Sequence, residues 1–220
     1  METKDYKTEI IKDLKSKYEF FRKVVVVGDN KVGKTSILKQ LINKEFSEEY
    51  KPTKGYEFNI MLIKVNETVI KFQIWDMCGD ESYRPSLFNL YRNSNLGILV
   101  YSISSRQSFN NLEEWIKNLR KKSPTTNIIL IGNKSDEKDK REVSYEEGQE
   151  IAEKYNLEFF EEISSAEELK SPNFMEMGAI SIFKEYEGGS NDISAGVFGQ
   201  SIMLDPKEVF QNRNKQKCCI

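Results

Sequence analysis

The chain has 220 residues, 33 of them lysine or arginine against 35 aspartate or glutamate, and no histidine; this length suits one domain with tails, and the balanced charge gives no whole-chain argument for nucleic acid as a partner. Lack of histidine removes the commonest general base near neutral pH, which argues against Ser-His-Asp or Cys-His chemistry, while Cys78 and the adjacent Cys218 and Cys219 form neither a disulfide scaffold nor a zinc set. No run approaches roughly 18 apolar residues and the start carries mixed charges, so neither a membrane span nor a secretory leader is expected, which points to the cytosol or a cytosolic membrane face.

Residues 1–20 alternate lysines and acids around Ile10, Ile11 and Leu14. This fits a short surface helix docked by those three side chains, or a mobile arm; partial helicity is the expectation. Residues 24–27 are a run of valines suited to a buried strand, as are the apolar runs 98–101 and 128–131. Between them lie amphipathic stripes: Ile37, Leu38, Leu41 and Ile42 predict one helix, and Phe109, Leu112, Ile116 and Leu119 a second. Residues 58–64 and 69–75 read as two strands joined at Asn66-Glu67, an antiparallel edge pair. Ile151, Ala152 and Tyr155 suit a helix before a strand around 157–160, and Phe174, Met177, Ile180 and Phe183 mark the last helix. Repeated β-α units of this kind imply a mainly parallel sheet covered on both faces, with ligands at the C-terminal strand edges. Gly188-Gly189-Ser190 breaks the helical pattern, and the remainder reads as a tether.

The run Gly28-Asp29-Asn30-Lys31-Val32-Gly33-Lys34-Thr35 follows the valine strand and opens the first helix, giving a G-x-x-x-x-G-K-T phosphate loop in the required context. Its glycines allow a tight turn that presents backbone N–H groups, and the helix adds the positive end of its dipole. Lys34 can then reach β and γ phosphates and Thr35 can ligate Mg²⁺. Asp76 in Trp75-Asp76-Met77-Cys78-Gly79 can reach the water shell of that ion, and Gly79 lets its N–H approach the γ phosphate. In Gly132-Asn133-Lys134-Ser135-Asp136 the last carboxylate can accept from two guanine nitrogens, a donor pair that adenine lacks.

With these motifs in place, residues 20–186 resemble a small Ras-like GTPase, and more narrowly the Rab family. The motifs that carry the resemblance are residues 28–35, Thr53, residues 76–79, residues 133–136 and Ser164-Ser165-Ala166, together with Gly55 and Phe58, residues 71–75, Glu81 with Tyr83-Arg84, Tyr91-Arg92, and Tyr101 before Ile103. The resemblance implies an α/β, three-layer, Ras-like P-loop fold with a mainly parallel six-stranded sheet. It divides the chain into an N-terminal extension (1–20), a small GTPase domain (21–187) and a flexible hypervariable tail (188–220). It implies GTP and GDP as substrate and switch ligand, Mg²⁺ as cofactor, and a pocket of Asn30, Lys31, Val32, Gly33, Lys34, Thr35 and Ser36. Phe46 would pack on guanine, Tyr50 lie near the phosphates, and Asn133, Lys134, Asp136, Ser165 and Ala166 hold the base. Thr35 and Thr53 would be direct metal ligands, with Asp76 acting through water. Lys34, Thr53, Gly79 and Asp80 would be the catalytic set.

The chain departs from the family pattern at four places. Asp80 replaces the glutamine whose amide orients the attacking water, and slow intrinsic hydrolysis is the expectation. Lys54, Tyr56 and Glu167 replace an isoleucine, a valine and a lysine. At the end, Arg213, Lys215 and Lys217 precede Cys218-Cys219-Ile220, which is not a C-a-a-X box but resembles the Rab double-cysteine ending that carries two geranylgeranyl groups. The expected partners are an exchange factor, a GTPase-activating protein, a GDP-dissociation inhibitor, a prenyltransferase escort protein and GTP-state effectors. The expected setting is the cytosolic face of a vesicular or endosomal membrane, with cycling through the cytosol, a monomeric G domain and no nucleic acid. A binding module with negligible GTPase activity is the alternative that Asp80 leaves open.

Overall fold

The valines at 24–27 are all buried, Val24 and Val26 against one apolar cluster and Val25 and Val27 against another. Such a strand, apolar on both faces, belongs in the middle of a covered sheet. In the computed structural model, which describes residues 5–167 and 173–189, that strand is β2 (Phe20–Val27). It is followed by α1 (Lys34–Asn43), β3 (Tyr56–Val65) and β4 (Thr68–Met77). A 3₁₀ turn at Glu81–Tyr83 and the short α2 (Arg84–Leu87) lead to β5 (Leu96–Ser102), α3 (Arg106–Asn110) and α4 (Leu112–Lys122). Then come β6 (Asn127–Asn133), α5 (Tyr145–Lys154), β7 (Phe159–Glu162) and α6 (Asn173–Glu187).

The first element, β1 (Thr8–Ile11), corrects an expectation, because residues near Ile10 form a strand where a surface helix was predicted. It pairs antiparallel with the outer half of β3, Thr8 opposite Val65 and Ile11 opposite Leu62. The Lys7 carbonyl also accepts from the Asn66 N–H at 2.8 Å. The physical reason is tertiary: an uncovered sheet edge has a row of unmet backbone groups that an adjacent extended segment satisfies, and local periodicity does not register it. Ile10 packs against the core, whereas Leu14, expected to dock, is 54% exposed beyond a turn closed by Asp13. The sheet therefore has seven strands in the order β1-β3-β4-β2-β5-β6-β7, not six, and β3 is not its edge. Strands β4, β2, β5, β6 and β7 are mutually parallel in that order, with β3 antiparallel to β4.

Two helical layers cover this sheet. Ile37, Leu38 and Leu41 of α1 and Phe174, Ala179 and Ile182 of α6 fill one face; Leu112, Trp115, Ile116 and Leu119 of α4 fill the other. The buried stripe of α6 runs through Phe174, Met175, Gly178, Ala179, Ile182 and Phe183, leaving Met177 and Ile180 at its margins. Steps of three fall about 60° short of a full turn, so the four residues that marked this helix drift around it, while alternating steps of one and three hold one face. Strand β7 begins two residues later than predicted, because Leu157 and Glu158 still form the link from α5, their N–H groups donating to Ala152 and Ile128. Each parallel strand from β2 to β7 delivers a loop to the same end of the sheet.

Candidate functional site

At that end, Gly33 caps α1 with φ of 96°, a left-handed conformation that side chains resist. A Cβ there would lie 2.1 Å from the Asn133 side-chain nitrogen, so the loop and the 133–136 segment touch only because the position is bare. Lys34 follows, buried, with its ammonium donating to the carbonyls of Gly28 at 3.0 Å and Asp29 at 2.7 Å. Gly79, from the loop after β4, crosses the same place: a Cβ would come within 2.5 Å of Lys34 Nζ and of the Asp29 carbonyl.

Beside the lysine, three oxygens converge, from the first turn of α1, the 44–55 segment and the end of β4. Thr35 Oγ1 donates to Asp76 Oδ2 at 2.5 Å and lies 3.0 Å from Thr53 Oγ1. Asp76 is buried and its second oxygen, Oδ1, has no hydrogen-bond partner. Burial pushes its carboxyl up to about 6, against the pull of the Thr35 hydroxyl and the nearby Lys34 charge. An orphaned buried carboxylate oxygen beside two hydroxyls is an all-oxygen donor set, which suits Mg²⁺ and would hold the carboxylate ionised when the cation is present. Among the described residues no cluster of three His, Cys, Asp or Glu offers a different metal set.

On the other side, Asn133 ties three loops together. Its amide donates to the Val32 carbonyl at 2.8 Å and to Ser165 Oγ at 3.2 Å, and its carbonyl oxygen accepts from the Ser165 N–H at 3.0 Å. Ser164 Oγ donates to Asp136 Oδ1 at 2.5 Å and accepts from the Ala166 N–H at 3.2 Å, which orients a carboxylate and an amide toward one volume. The rim is looser. Phe46 and Tyr50 are 43% and 49% exposed, and the Tyr50 hydroxyl donates to Asn30 Oδ1 at 2.5 Å.

Together these loops enclose a cavity of about 610 Å³. Of the residues singled out from sequence, Asn30, Lys31, Gly33, Lys34, Thr35, Ser36, Phe46, Tyr50, Thr53, Gly79, Asn133, Lys134, Asp136, Ser165 and Ala166 line it. Three do not. Val32 is buried and contributes its carbonyl to Asn133 instead; Asp76 lies behind the cavity wall; Asp80 stands outside, exposed. The Asp80 carboxylate accepts from the Ser82 hydroxyl at 2.7 Å and the Ser82 N–H at 2.9 Å, and these two bonds hold its carboxyl below the ordinary range. It thus caps the 3₁₀ turn at Glu81–Tyr83. Cys218 and Cys219, with Arg213, Lys215 and Lys217, lie outside the described residues.

Sequence reasoning overlooked Lys39, Cys78 and Glu137 in the lining, and the role of Ser164 in fixing Asp136. Nothing in the local pattern marked Lys39 or Glu137; Cys78 and Ser164 sat inside recognised motifs, and the bond between Ser164 and Asp136 spans 28 residues. Two further departures find local accounts. Tyr56 stacks on Trp75 with ring centroids 4.9 Å apart, and Phe58 meets the same indole at 5.1 Å. Glu167 engages Gln40 through its main-chain carbonyl, so the identity of its side chain matters little there. Lys54 is exposed and nothing in the structure explains it.

The profile of the Ras family matches residues 23–180. The chain is 36% identical over 207 residues to the Ras-related protein RABA1g of Arabidopsis thaliana, covering 92% of this chain and 95% of that protein. It is 37% identical over 207 residues to RabQ of Dictyostelium discoideum, with 91% and 98% covered. It is 41% identical over 145 residues to Rab-11B of the same organism, 66% of each chain. No helix among the described residues is long and apolar enough to cross a membrane.

Proposed function

Starting from a chain that belongs to the Rab group of the Ras family of small GTPases, we propose a GTP/GDP-switched, membrane-anchored regulator of vesicular traffic that hydrolyses GTP slowly unless a partner assists. The observation that carries this reading is the meeting of Thr35, Thr53 and Asp76, which joins the start of α1 behind the phosphate loop, the 44–55 segment and the end of β4 at one point. A ligand that engages all three groups would order the 44–55 segment and the segment after β4, and its loss would release them.

Thr35 and Thr53 would hold Mg²⁺ through their hydroxyls and Asp76 would hold it through water. When bound, the ion neutralises phosphate charge. Lys34 supplies a fixed positive charge to the phosphates, oriented by the two carbonyls it donates to. Gly79 brings a backbone N–H close without a Cβ in the way. Asp136 selects guanine by accepting from two base nitrogens, with Ser164 holding its other contacts in place. Asp80 cannot donate to phosphate, and its carboxylate is already committed to Ser82. A GTPase-activating protein would therefore supply the water-orienting group. Residues 188–220 would serve as the tether, with two geranylgeranyl groups on Cys218 and Cys219 and an escort protein, a GDP-dissociation inhibitor, an exchange factor and effectors as its circle of partners.

Single-turnover hydrolysis of preloaded GTP tests the slow step. Asp80→Gln is expected to raise the rate about tenfold, roughly 1.4 kcal/mol of barrier. An unchanged or slower rate would place the limit elsewhere. A wild-type rate indistinguishable from the uncatalysed reaction, with GTP still bound, would favour the binding-module alternative.

A further inference from the structure

Asp29 lies inside the phosphate loop, yet its carboxylate is held from outside that loop. Asn111 Nδ2 donates to Asp29 Oδ2 at 2.6 Å and Trp115 Nε1 donates to Oδ1 at 2.8 Å. The two donors are one helical turn apart, Asn111 capping α4 and Trp115 within it, so they present a fixed fork. Trp115 is itself buried among the Leu112, Ile116 and Leu119 side chains that pin α4 to the sheet. The main chain of Asp29 meanwhile faces the other way: its carbonyl accepts from Lys34 Nζ at 2.7 Å.

We propose that Asp29 is a positioning residue for the Lys34 ammonium, its carboxylate locked by Asn111 and Trp115 so that its carbonyl aims the lysine at phosphate. An ammonium carries three hydrogens, and the Gly28 and Asp29 carbonyls take two of them. Whatever fixes those two carbonyls fixes the direction of the third hydrogen. A phosphate loop is glycine-rich and yields to small forces, whereas α4 is anchored in the core. The carboxylate thus ties the Gly28-Asp29 end of the loop to the core, as Asn133 ties the Val32 end. Both bonds to it are charge-assisted, the stronger class of hydrogen bond. The inference rests on the reading of Lys34 as a phosphate-binding group.

Two measurements on the full chain test it. In the first, Asp29→Asn, Trp115→Phe and the double replacement are compared by single-turnover GTP hydrolysis and by dissociation of fluorescent GTP and GDP. Each single replacement is expected to slow hydrolysis about tenfold and to speed GTP release more than GDP release. The double is expected to add nothing, because both act through one carboxylate. In the second, the indole ¹⁵N–¹H resonances of the two tryptophans are followed in GDP-loaded and GTP-loaded protein. That of Trp115 is expected to differ between the two states in the unchanged chain and to lose the difference in Asp29→Asn. Replacements that lower Tm while leaving rates and release ratios unchanged, additive effects in the double, or a Trp115 resonance blind to the nucleotide would each overturn the proposal. A variant that fails to fold leaves the resonance of the unchanged protein as the deciding arm. Wild-type protein that binds no nucleotide would overturn the phosphate-site reading instead; slow turnover with the expected release ratios would overturn neither.

Discussion

Asp76, next to last in β4, and Asp80, three residues past that strand, experience opposite chemistry. Asp76 lies just behind the cavity floor, buried, with an oxygen that has no hydrogen-bond partner and a carboxyl raised to about 6. Asp80 lies outside the cavity, beyond its rim, exposed, with its Oδ1 bonded within two residues by Ser82. The floor is built around something the protein does not itself provide, and the rim is built to be complete without it. A buried polar group left unmet costs about 1–3 kcal/mol, which the folded chain recovers only on binding a cation or its water shell. The same contrast separates Lys34, held by two carbonyls, from Tyr50 and Phe46, which lean over the opening with much of their surface in solvent. Affinity should live on the floor and switching on the rim.

That division is open to direct attack. The largest effect is expected at the floor, where Thr35→Asn removes the hydroxyl that joins Asp76 and Thr53. Affinity for GTP in the presence of Mg²⁺ should fall about a hundredfold, near 2.7 kcal/mol, with GDP affected less. Titration of both nucleotides with and without Mg²⁺ checks it, and equal losses for both would erase the distinction between metal and base contacts. Removal of residues 1–11 comes next. It strips β1 from Leu62, Ile63 and Val65, which are buried beneath it. About 2 kcal/mol of stability should go, about 5 °C in Tm, with nucleotide affinity intact because the strand pairs at the hairpin end of β3. At the rim, Ser82→Ala removes one of the two bonds on Asp80. GTP affinity should stay within about twofold, while amide exchange at residues 82–83 rises, a local loss of about 1 kcal/mol.

The smallest effect is distant from the cavity. Arg106, followed by the Ser144 N–H, holds the Glu147 carboxyl down to about 2 from an ordinary 4.5. A folded-state value below the unfolded one means stability that is fully present above pH 4.5 and is lost as pH falls toward 2. Acid unfolding of Glu147→Gln should therefore show a shallower slope across that window than the unchanged chain. Because the pair is largely exposed, the difference should also shrink in high salt.

Much of the floor was legible in the sequence because its chemistry is local. Gly33, Lys34 and Thr35 act from a single turn, and a glycine at that point is readable from the pattern alone. The strands and helices of the central sheet were legible for a related reason: valines at 24–27 must be buried on both sides, and the α1 and α4 stripes repeat at helical spacing. What escaped was set by distant partners. β1 takes its conformation from the edge of β3, 51 or more residues away. The Asp29 carboxylate found Asn111 and Trp115 on a helix more than 80 residues on. None of these bonds has a periodic signature. In α6 the four residues that marked the helix were legible, Phe174 and Phe183 being buried and Ile180 packed at the core margin, whereas Met175, Gly178 and Ala179 joined the buried face unmarked.

Selection of guanine nucleotide in a Mg²⁺-supported site is the centre of this account, and Asp136 is its determinant. Competition against a fluorescent GDP, with Mg²⁺ present, tests it most directly. Unlabelled GTP and GDP are expected to displace the probe near stoichiometrically, ATP is expected to fail at about a thousandfold excess, and Asp136→Asn is expected to weaken both guanine nucleotides while admitting xanthine nucleotide. Displacement by ATP and GTP at equal concentrations in the unchanged protein would contradict it.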